Sequence, residues 1–214
     1  WDLSIVRRIK KPGVNPVQAI VRAAGSQVNL LAGREEIGPL EVLHTDFTEI
    51  RYQRGMARAW LMPIVDHTSK LVAGHALGER ADTELALTAW ASCTEMLEDL
   101  GVALHDIIIH HDQDGVYLGY GWLNEVVVKS RARVSYSHNG AKGNVHMESF
   151  NGRFKEENRL IFWEQESLRS LQRVVNERIR YYNYERRHST LSNRSPLSYL
   201  KEEGFTTRST DSGI

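Results

Sequence analysis

A short aliphatic run followed at once by polar and charged residues constrains this chain more than any other stretch. Ile107–Ile109 leads directly into a His-His-Asp sequence that ends at Asp112, and Glu148 follows after 35 intervening residues. The aliphatic run is typical of a buried strand, so Asp112 is predicted at the carboxyl end of that strand. A third acid, Asp46, lies within another strand-like run, Glu41–Tyr52, where aspartate is disfavoured.

The three acids together indicate a metal site. Carboxylates that converge without a basic partner repel one another, which raises the pKa of at least one unless a divalent cation neutralises the charge. Each acid also has a structural explanation. Asp112 could end a strand in a turn, Glu148 could be a first-turn acid favoured by the helix dipole, and Asp46 could pair with a buried arginine.

Other residues near the three acids compete for the same roles. Asp66 is expected in a turn at the end of a strand, and Asp114 at the rim of the site. His110 and His111 beside Asp112 could suggest zinc, but no cysteine or third histidine nearby in the sequence completes a tetrahedral set. Zinc is therefore the less favoured metal at this position.

The composition indicates in which cellular compartment the protein is found. The 214 residues suffice for one large domain or two small ones, and the single cysteine, Cys93, excludes a disulfide framework, which fits a reducing compartment. No apolar run approaches the roughly 18 residues that span a bilayer. The sequence thus predicts a cytoplasmic protein without a membrane partner. It starts at Trp1 rather than at a methionine, which suggests a fragment or a processed form.

Basic charge is concentrated in the second half of the chain. The formal net charge is zero, yet residues 129–194 hold 14 Lys and Arg against 7 Glu and no Asp. A patch of this kind could follow the phosphates of a nucleic acid, although a solvated helical surface explains the same pattern.

Hydrophobic patterns predict an α/β fold with a mixed five-stranded sheet flanked by helices. Three successive strands with short turns would form an antiparallel meander, and two later strands separated by helices would pair in parallel. The strands are predicted at Glu41–Tyr52, Ala57–Asp66, Lys70–Leu77, Ile107–Ile109 and Ala132–Tyr136. The helices are predicted at Asp82–Leu100, Trp122–Val128, Val145–Leu160 and Ser167–Tyr184.

The same patterns divide the chain into three parts. Residues 1–39 are an arm or linker with one short helix that begins at Asn15-Pro16, residues 40–200 are the core domain with its C-terminal helices, and residues 201–214 are a tail. Ser137–Val145 contains two glycines and adjoins an acid, so it is predicted to be a mobile loop that closes on substrate.

Five ordered sequence blocks resemble the catalytic core of the retroviral-integrase superfamily, and in particular bacterial insertion-sequence transposases of the DDE type. The blocks are His44–Thr48, Ile64–Lys70, Ile109–Gln113, Asn144–Glu157 and Tyr182–Leu191. They run in order through residues 40–200. Two positions depart from the pattern of that group, because Asp114 stands where glycine is usual and Gly143 stands where aspartate is usual.

The resemblance implies an RNase H-like fold with a three-acid site formed by Asp46, Asp112 and Glu148. It also implies two Mg²⁺ or Mn²⁺ ions and the cleavage and strand transfer of DNA. Two ions about 3.5–4 Å apart suit an in-line displacement at a phosphodiester, because they can activate the attacking oxygen and stabilise the leaving one. Asp46, near the middle of its strand, would bridge both ions, while Asp112 and Glu148 would each hold one.

The expected partner is double-stranded DNA, both transposon ends and target. The residues expected to contact it are Lys142, Asn144, Arg153, Lys155, Arg186, Arg187 and His188. Joining two ends to one target requires coordinated active sites, which predicts a homo-oligomer on DNA, associated with the bacterial nucleoid during the reaction. An end-binding domain is expected upstream, and residues 1–39 are too short to form one.

Two alternative functions stay open at this point. The chain could be a catalytically idle DNA-binding or scaffolding remnant of a transposase, which the zero net charge and the two departures favour. It could also be an RNase H-like nuclease that acts on RNA–DNA hybrids. The three acids oppose the first alternative, and the block Tyr182–Leu191 opposes the second.

Overall fold

A mixed six-stranded sheet with helices on both faces forms the centre of the fold. The computed structural model describes residues 15–137 and 144–207. The strands are β1 (Val42–Thr45), β2 (Thr48–Tyr52), β3 (Ala57–Asp66), β4 (Val72–Gly78), β5 (Ile108–His111) and β6 (Arg133–Tyr136). The helices are α1 (Pro16–Ala24), α2 (Thr83–Asp99), α3 (Tyr120–Leu123), α4 (Val145–Trp163), α5 (Leu168–Tyr184) and α6 (Pro196–Glu202). None of these helices is long and apolar enough to cross a membrane.

The predicted fold class is confirmed, but the sheet has six strands rather than five. The predicted strand Glu41–Tyr52 is divided into β1 and β2, which both pair with β3 in one antiparallel register. Because Thr45 pairs with Ile64, the next position of that register places Asp46 opposite Pro63. Proline has no N–H to donate to the ladder, so the pairing is interrupted at that position.

Strand directions follow the prediction. β3 pairs antiparallel with β4, while β1 pairs in parallel with β5 and β5 pairs in parallel with β6. The edge of β4 is covered by α5, because the side-chain amide of Asn183 donates to the Val72 carbonyl at 2.9 Å and accepts from the Val72 N–H at 3.0 Å. An uncovered strand edge would expose unpaired backbone groups.

Helix starts are fixed by side-chain caps at the predicted positions. The Asn15 side chain accepts from the Val17 N–H at 2.9 Å at the start of α1, and Asp82 accepts from the Leu85 N–H at 3.0 Å at the start of α2. Ser167 forms a capping box at the start of α5. These bonds satisfy backbone donors that lack partners within the helix.

Two apolar cores lie on opposite faces of the sheet. Trp90 and Leu97 of α2 pack with Met62 and other buried residues in one core, and Phe154 of α4 and Val175 of α5 belong to the other. Successive side chains of β3 point to opposite faces of the sheet, so neighbouring residues pack in different cores. The two long helices α4 and α5 are thus held against the face opposite to α2.

The described part of the predicted N-terminal arm packs on the core. Val21 of α1 is buried against Leu118 and Tyr136, and the Asn15 side chain donates to the Leu118 carbonyl at 3.2 Å. At the other end, α6 continues past the predicted boundary at residue 200. The division of the chain into arm, core and tail stays a prediction.

Candidate active site

The register of two parallel strands brings two of the predicted acids to the same level. Val42 pairs with Ile108 and each later residue of β1 pairs with the next residue of β5, so continuing this register past the strand ends places Asp46 level with Asp112. Both acids therefore lie just beyond the carboxyl ends of adjacent parallel strands. In open α/β sheets this edge is where ligands bind.

Asp46 lies at the interruption between β1 and β2, not in the middle of a continuous strand as predicted. The pKa of Asp46 is raised to about 6, first by burial and then by the negative charges of Asp112, Asp114 and Glu148, against a lowering by the hydrogen bond from the Phe47 backbone. These charge effects show that the three predicted acids share one electrostatic environment.

Glu148 is carried by the first turn of α4, and Asn144 fixes where that turn begins. Asn144 is buried, and its side-chain amide donates to the Thr45 carbonyl at 2.9 Å while its oxygen contacts His44 Nδ1 at 3.3 Å. The start of α4 is therefore tied to the end of β1, next to Asp46. This differs from the predicted DNA contact, because the amide of Asn144 is occupied by protein partners.

Asp112 is held by a local turn. Its Oδ1 accepts from the Asp114 N–H at 2.9 Å, and burial raises its pKa. Asp114 is exposed, as expected for the rim of the site, and its Oδ1 accepts from the Val116 N–H at 2.9 Å. The departure from glycine at Asp114 therefore adds a side chain that shapes the turn and a further negative charge near Asp46.

Asp66 has a structural role. It ends β3 with 1% exposure and accepts hydrogen bonds from the Leu40 N–H at 2.9 Å and from the Ser69 N–H and hydroxyl at 2.7 Å each. This agrees with the expected turn at a strand end. Its oxygens are occupied, so Asp66 does not compete with the three acids.

The donor set of the three acids fits a hard divalent cation. Within residues 15–137 and 144–207, Asp46, Asp112 and Glu148 form no ion pair with a lysine or arginine. The buried arginine partner considered for Asp46 is thus absent from the described residues. Carboxylate oxygens without a basic partner are the ligands that Mg²⁺ and Mn²⁺ prefer.

Tyr117 is a site residue that the sequence did not reveal. It is fully buried, its ring stacks on His111 at 4.2 Å between centroids, and burial followed by the negative charge of Asp46 raises the pKa of its hydroxyl. The residue supports the floor of the site next to Asp46. No sequence pattern marks it, because the loop after Asp112 has no regular period.

The predicted basic residues do not form one surface. Arg153 lines a cavity of about 280 Å³ beside His146, whereas Lys155 lines a different depression beside Glu49. Residues two positions apart on an α-helix project about 200° apart, which explains the separation. Lys142 lies outside the described residues.

The other residues predicted to contact DNA differ in how accessible their side chains are. Arg186 forms an ion pair with Glu157 and hydrogen bonds with the ring of buried His188, while Arg187 is exposed. Most of the predicted mobile loop, residues 138–143, also lies outside the described residues.

A second cluster, the histidine cluster, consists of His44, His67 and His146. His44 Nε2 lies 3.0 Å from His67 Nδ1, and one ring nitrogen from each of the three lies within 4.8 Å of the others. Burial lowers the pKa of all three rings, that of His146 to about 4, so they are neutral near pH 7. Sequence reasoning weighed His110 and His111 instead, although His44 and His146 each precede an acid by two residues.

Comparison with known proteins gives a consistent picture. Residues 131–196 match the family described as Integrase core domain. A probable transposase for insertion sequence element IS1353 of Shigella flexneri is 28% identical over 164 residues, which cover 75% of this chain and 30% of the relative. An uncharacterized transposase-like protein of Haemophilus influenzae is 29% identical over 165 residues, which cover 75% of this chain and 71% of the relative. This chain therefore spans about 30% of the length of the Shigella relative.

Among solved structures, the HTLV-2 integrase catalytic core domain in complex with magnesium superposes with a TM-score of 0.57 at 16% identity, covering 77% of this chain and 99% of that one. At this identity the likeness shows the fold, which is the RNase H-like fold of integrase cores. The comparisons confirm the resemblance to integrase cores and insertion-sequence transposases.

Proposed function

We propose that this chain, which is similar to integrase cores and insertion-sequence transposases, cleaves DNA and transfers the cut strand by in-line transesterification. The proposal rests on two observations: the β1–β5 register places Asp46 level with Asp112, and the negative charges of Asp112 and Glu148 raise the pKa of Asp46. The three acids come from two adjacent strand ends and a helix start, and no described basic side chain neutralises them.

The three acids would hold two Mg²⁺ or Mn²⁺ ions. When bound, such ions activate the attacking oxygen and stabilise the leaving oxygen of the displacement. The acids themselves supply the oxygen ligands, and their positions are set by the β1–β5 register and by the Asn144 tie to α4. No covalent link between protein and DNA is required, so the tyrosines near residue 182 are assigned to packing and backbone contacts.

The phosphate backbone of DNA would lie against exposed cations of the core domain. Arg153 and Arg187 are exposed, and Lys70 lines the same cavity as Arg153. Lys142, which lies outside the described residues, and the partly buried Lys155 stay predicted contacts, while Asn144 is proposed to position α4. Two transposon ends require two such sites, so the active form on DNA would be at least a dimer.

The test of the proposal is a set of nearly isosteric substitutions: Asp46→Asn, Asp112→Asn and Glu148→Gln. Each should abolish Mg²⁺-dependent nicking and joining, while stability stays unchanged or rises by about 1 kcal/mol because one of three repelling charges is removed. A branched oligonucleotide that mimics the joined product avoids any need for recognition of transposon ends. Melting curves with and without Mg²⁺ accompany each assay, since metal-induced stabilisation should shrink.

Asp106→Asn and Glu156→Gln change exposed acids and should keep full activity. Retained nicking in the three variants would overturn the assignment of the acids. A native chain that binds duplex DNA but never nicks it would be the idle remnant, and nicking without joining would indicate the nuclease.

DNA contact is tested by the salt dependence of duplex binding. Arg153→Ala and Arg187→Ala should weaken binding for all sequences alike, each reducing the slope of log affinity against log salt by about 1. Arg80→Ala is the matched control, because Arg80 lies in a depression rich in acids. An unchanged slope in both test variants would leave the basic residues as a solvated surface.

A further inference from the structure

The histidine cluster joins three separate elements at one point. His44 lies on β1 and is 4% exposed, His67 follows the end of β3, and His146 is in the first turn of α4. The rings are also in mutual contact, with 4.0 Å between the centroids of His67 and His146 and 4.7 Å between those of His44 and His146. Three imidazoles from distant parts of the chain therefore direct ring nitrogens to one small volume.

Asn144 determines which ring nitrogen of His44, the most buried of the three histidines, carries the proton. Its amide nitrogen donates to the Thr45 carbonyl at 2.9 Å, so its oxygen is the atom that faces His44 Nδ1 at 3.3 Å. An amide oxygen can only accept, so Nδ1 of His44 carries the proton and Nε2 presents its lone pair toward His67. Metal-bound histidines are oriented by an outer hydrogen bond of this kind.

The separations suit a small metal ion. Tetrahedral Zn²⁺ with bonds of about 2.0–2.1 Å to nitrogen has ligand atoms roughly 3.4 Å apart. The shortest separation here is 3.0 Å and all lie within 4.8 Å, so small rotations of the half-buried rings of His67 and His146 bring the nitrogens to that spacing. His44 and His146 also line the cavity of about 280 Å³, which leaves a fourth position open to solvent or to an anion.

We propose that His44, His67 and His146 bind one transition-metal ion, best matched by Zn²⁺, at a site separate from the three acids. Imidazole nitrogens suit Zn²⁺, Co²⁺ and Ni²⁺, whereas carboxylates suit Mg²⁺ and Mn²⁺, so the two sites select different ions. The bound ion braces β1 against the start of α4. It thereby holds the backbone two residues before Asp46 to the backbone two residues before Glu148. The site does not depend on the proposed DNA chemistry.

The test is a titration of the metal-free chain at pH 7 with Co²⁺, whose visible absorption reports tetrahedral coordination. The expected result is saturation at one Co²⁺ per chain, with displacement by Zn²⁺ and no displacement by equimolar Mg²⁺. His67→Gln and His146→Gln should each lose this spectrum, while Asn144→Ala should weaken Co²⁺ binding about 10–100-fold. His67 and His146 are chosen because they are less buried than His44.

Two controls separate this site from others. His105→Gln changes an exposed histidine and should leave the spectrum unchanged, and Asp112→Asn should also keep it. Melting of the unaltered chain gives a readout that needs no histidine variant, since Zn²⁺ should raise the melting temperature of the native protein and of Asp112→Asn alike. Absence of Co²⁺ binding by the native chain, retention of the spectrum in both histidine variants, or its loss in Asp112→Asn would each overturn the proposal.

Discussion

The acid site and the histidine cluster share two elements, β1 and α4, yet they differ in almost every physical property. Each of β1 and α4 bears a histidine two residues before an acid: His44 precedes Asp46, and His146 precedes Glu148. Within the part of the chain that the structure describes, the acids are at least partly exposed and form no ion pair with a lysine or arginine, whereas the histidines are neutral, in ring contact with one another and hydrogen-bonded. The same two elements can thus carry oxygen ligands for one site and nitrogen ligands for another.

The largest effect is expected from removing the support that both sites share. Phe154 of α4 is 2% exposed and stacks on Phe150, so Phe154→Ala should lower the free energy of unfolding by about 3–5 kcal/mol. Since α4 carries both Glu148 and His146, the Mg²⁺ response and the Co²⁺ affinity should fall together. Chemical denaturation and the two metal titrations measure this.

Leu160→Ala is the matched control on the same helix. Leu160 is 69% exposed, so its truncation should change the free energy of unfolding by no more than about 0.5 kcal/mol. If Phe154→Ala weakened only one of the two sites, the sites would not share α4 as their support.

A smaller effect is expected at Asn144, which connects the two sites. Asn144→Ala leaves the Thr45 carbonyl and His44 Nδ1 buried without this partner, so the free energy of unfolding should fall by about 1–3 kcal/mol. Urea denaturation provides the measurement. Asn176→Ala is the control, because that amide bonds His75 at the exposed surface and its loss should cost less. Equal costs at the two positions would contradict a special role for Asn144.

The smallest effect concerns acid pH at a histidine outside both sites. Burial, then the positive charge of Arg186, lowers the pKa of His188 to about 4, with Glu157 opposing and Arg153 and Lys70 adding to the shift. The unfolded ring has a pKa of about 6.5, so below that value the unfolded state binds the proton first and stability is lost as pH falls toward 4. After solvent screening this amounts to about 1 kcal/mol.

His188→Asn should therefore flatten the dependence of unfolding free energy on pH between about 6.5 and 4. Thermal melts across that range make the comparison, with the exposed His105→Asn as the control. A slope unchanged by His188→Asn would show that the acid sensitivity arises from the other buried histidines.

Local sequence patterns were enough to predict most of the helices and strands, while the three-acid site stays a prediction. The aliphatic run before Asp112 and the spacing to Glu148 are local signals, and the structure places these residues in one environment with Asp46. The break at Asp46 could not be predicted, because it depends on which residue of β3 faces it, and the register is not readable from either strand alone. The histidine cluster was missed for the same reason, since its members come from three elements.

The residues predicted to contact DNA show a second limit of prediction from sequence. Asn144, Arg153 and Lys155 were grouped because they are polar or basic and close in sequence, but the helical period sends Arg153 and Lys155 to different depressions. Asn144 resembles a surface residue by type, while burial and two protein partners give it a structural role. Residue type alone does not distinguish a side chain that contacts a ligand from one that holds a helix in place.

The common register of β1 and β5 determines where this chain can change length. One residue added between Val42 and Asp46 would advance the acid by about 3.3 Å and turn its side chain toward the opposite face of the sheet, away from Asp112. By contrast, one residue added at Arg80, in the exposed turn before α2, would lower the free energy of unfolding by only about a few tenths of a kcal/mol through loop entropy. A scan of single-residue insertions would therefore trace the paired strands that set the acid positions, even without any measurement of metal or DNA.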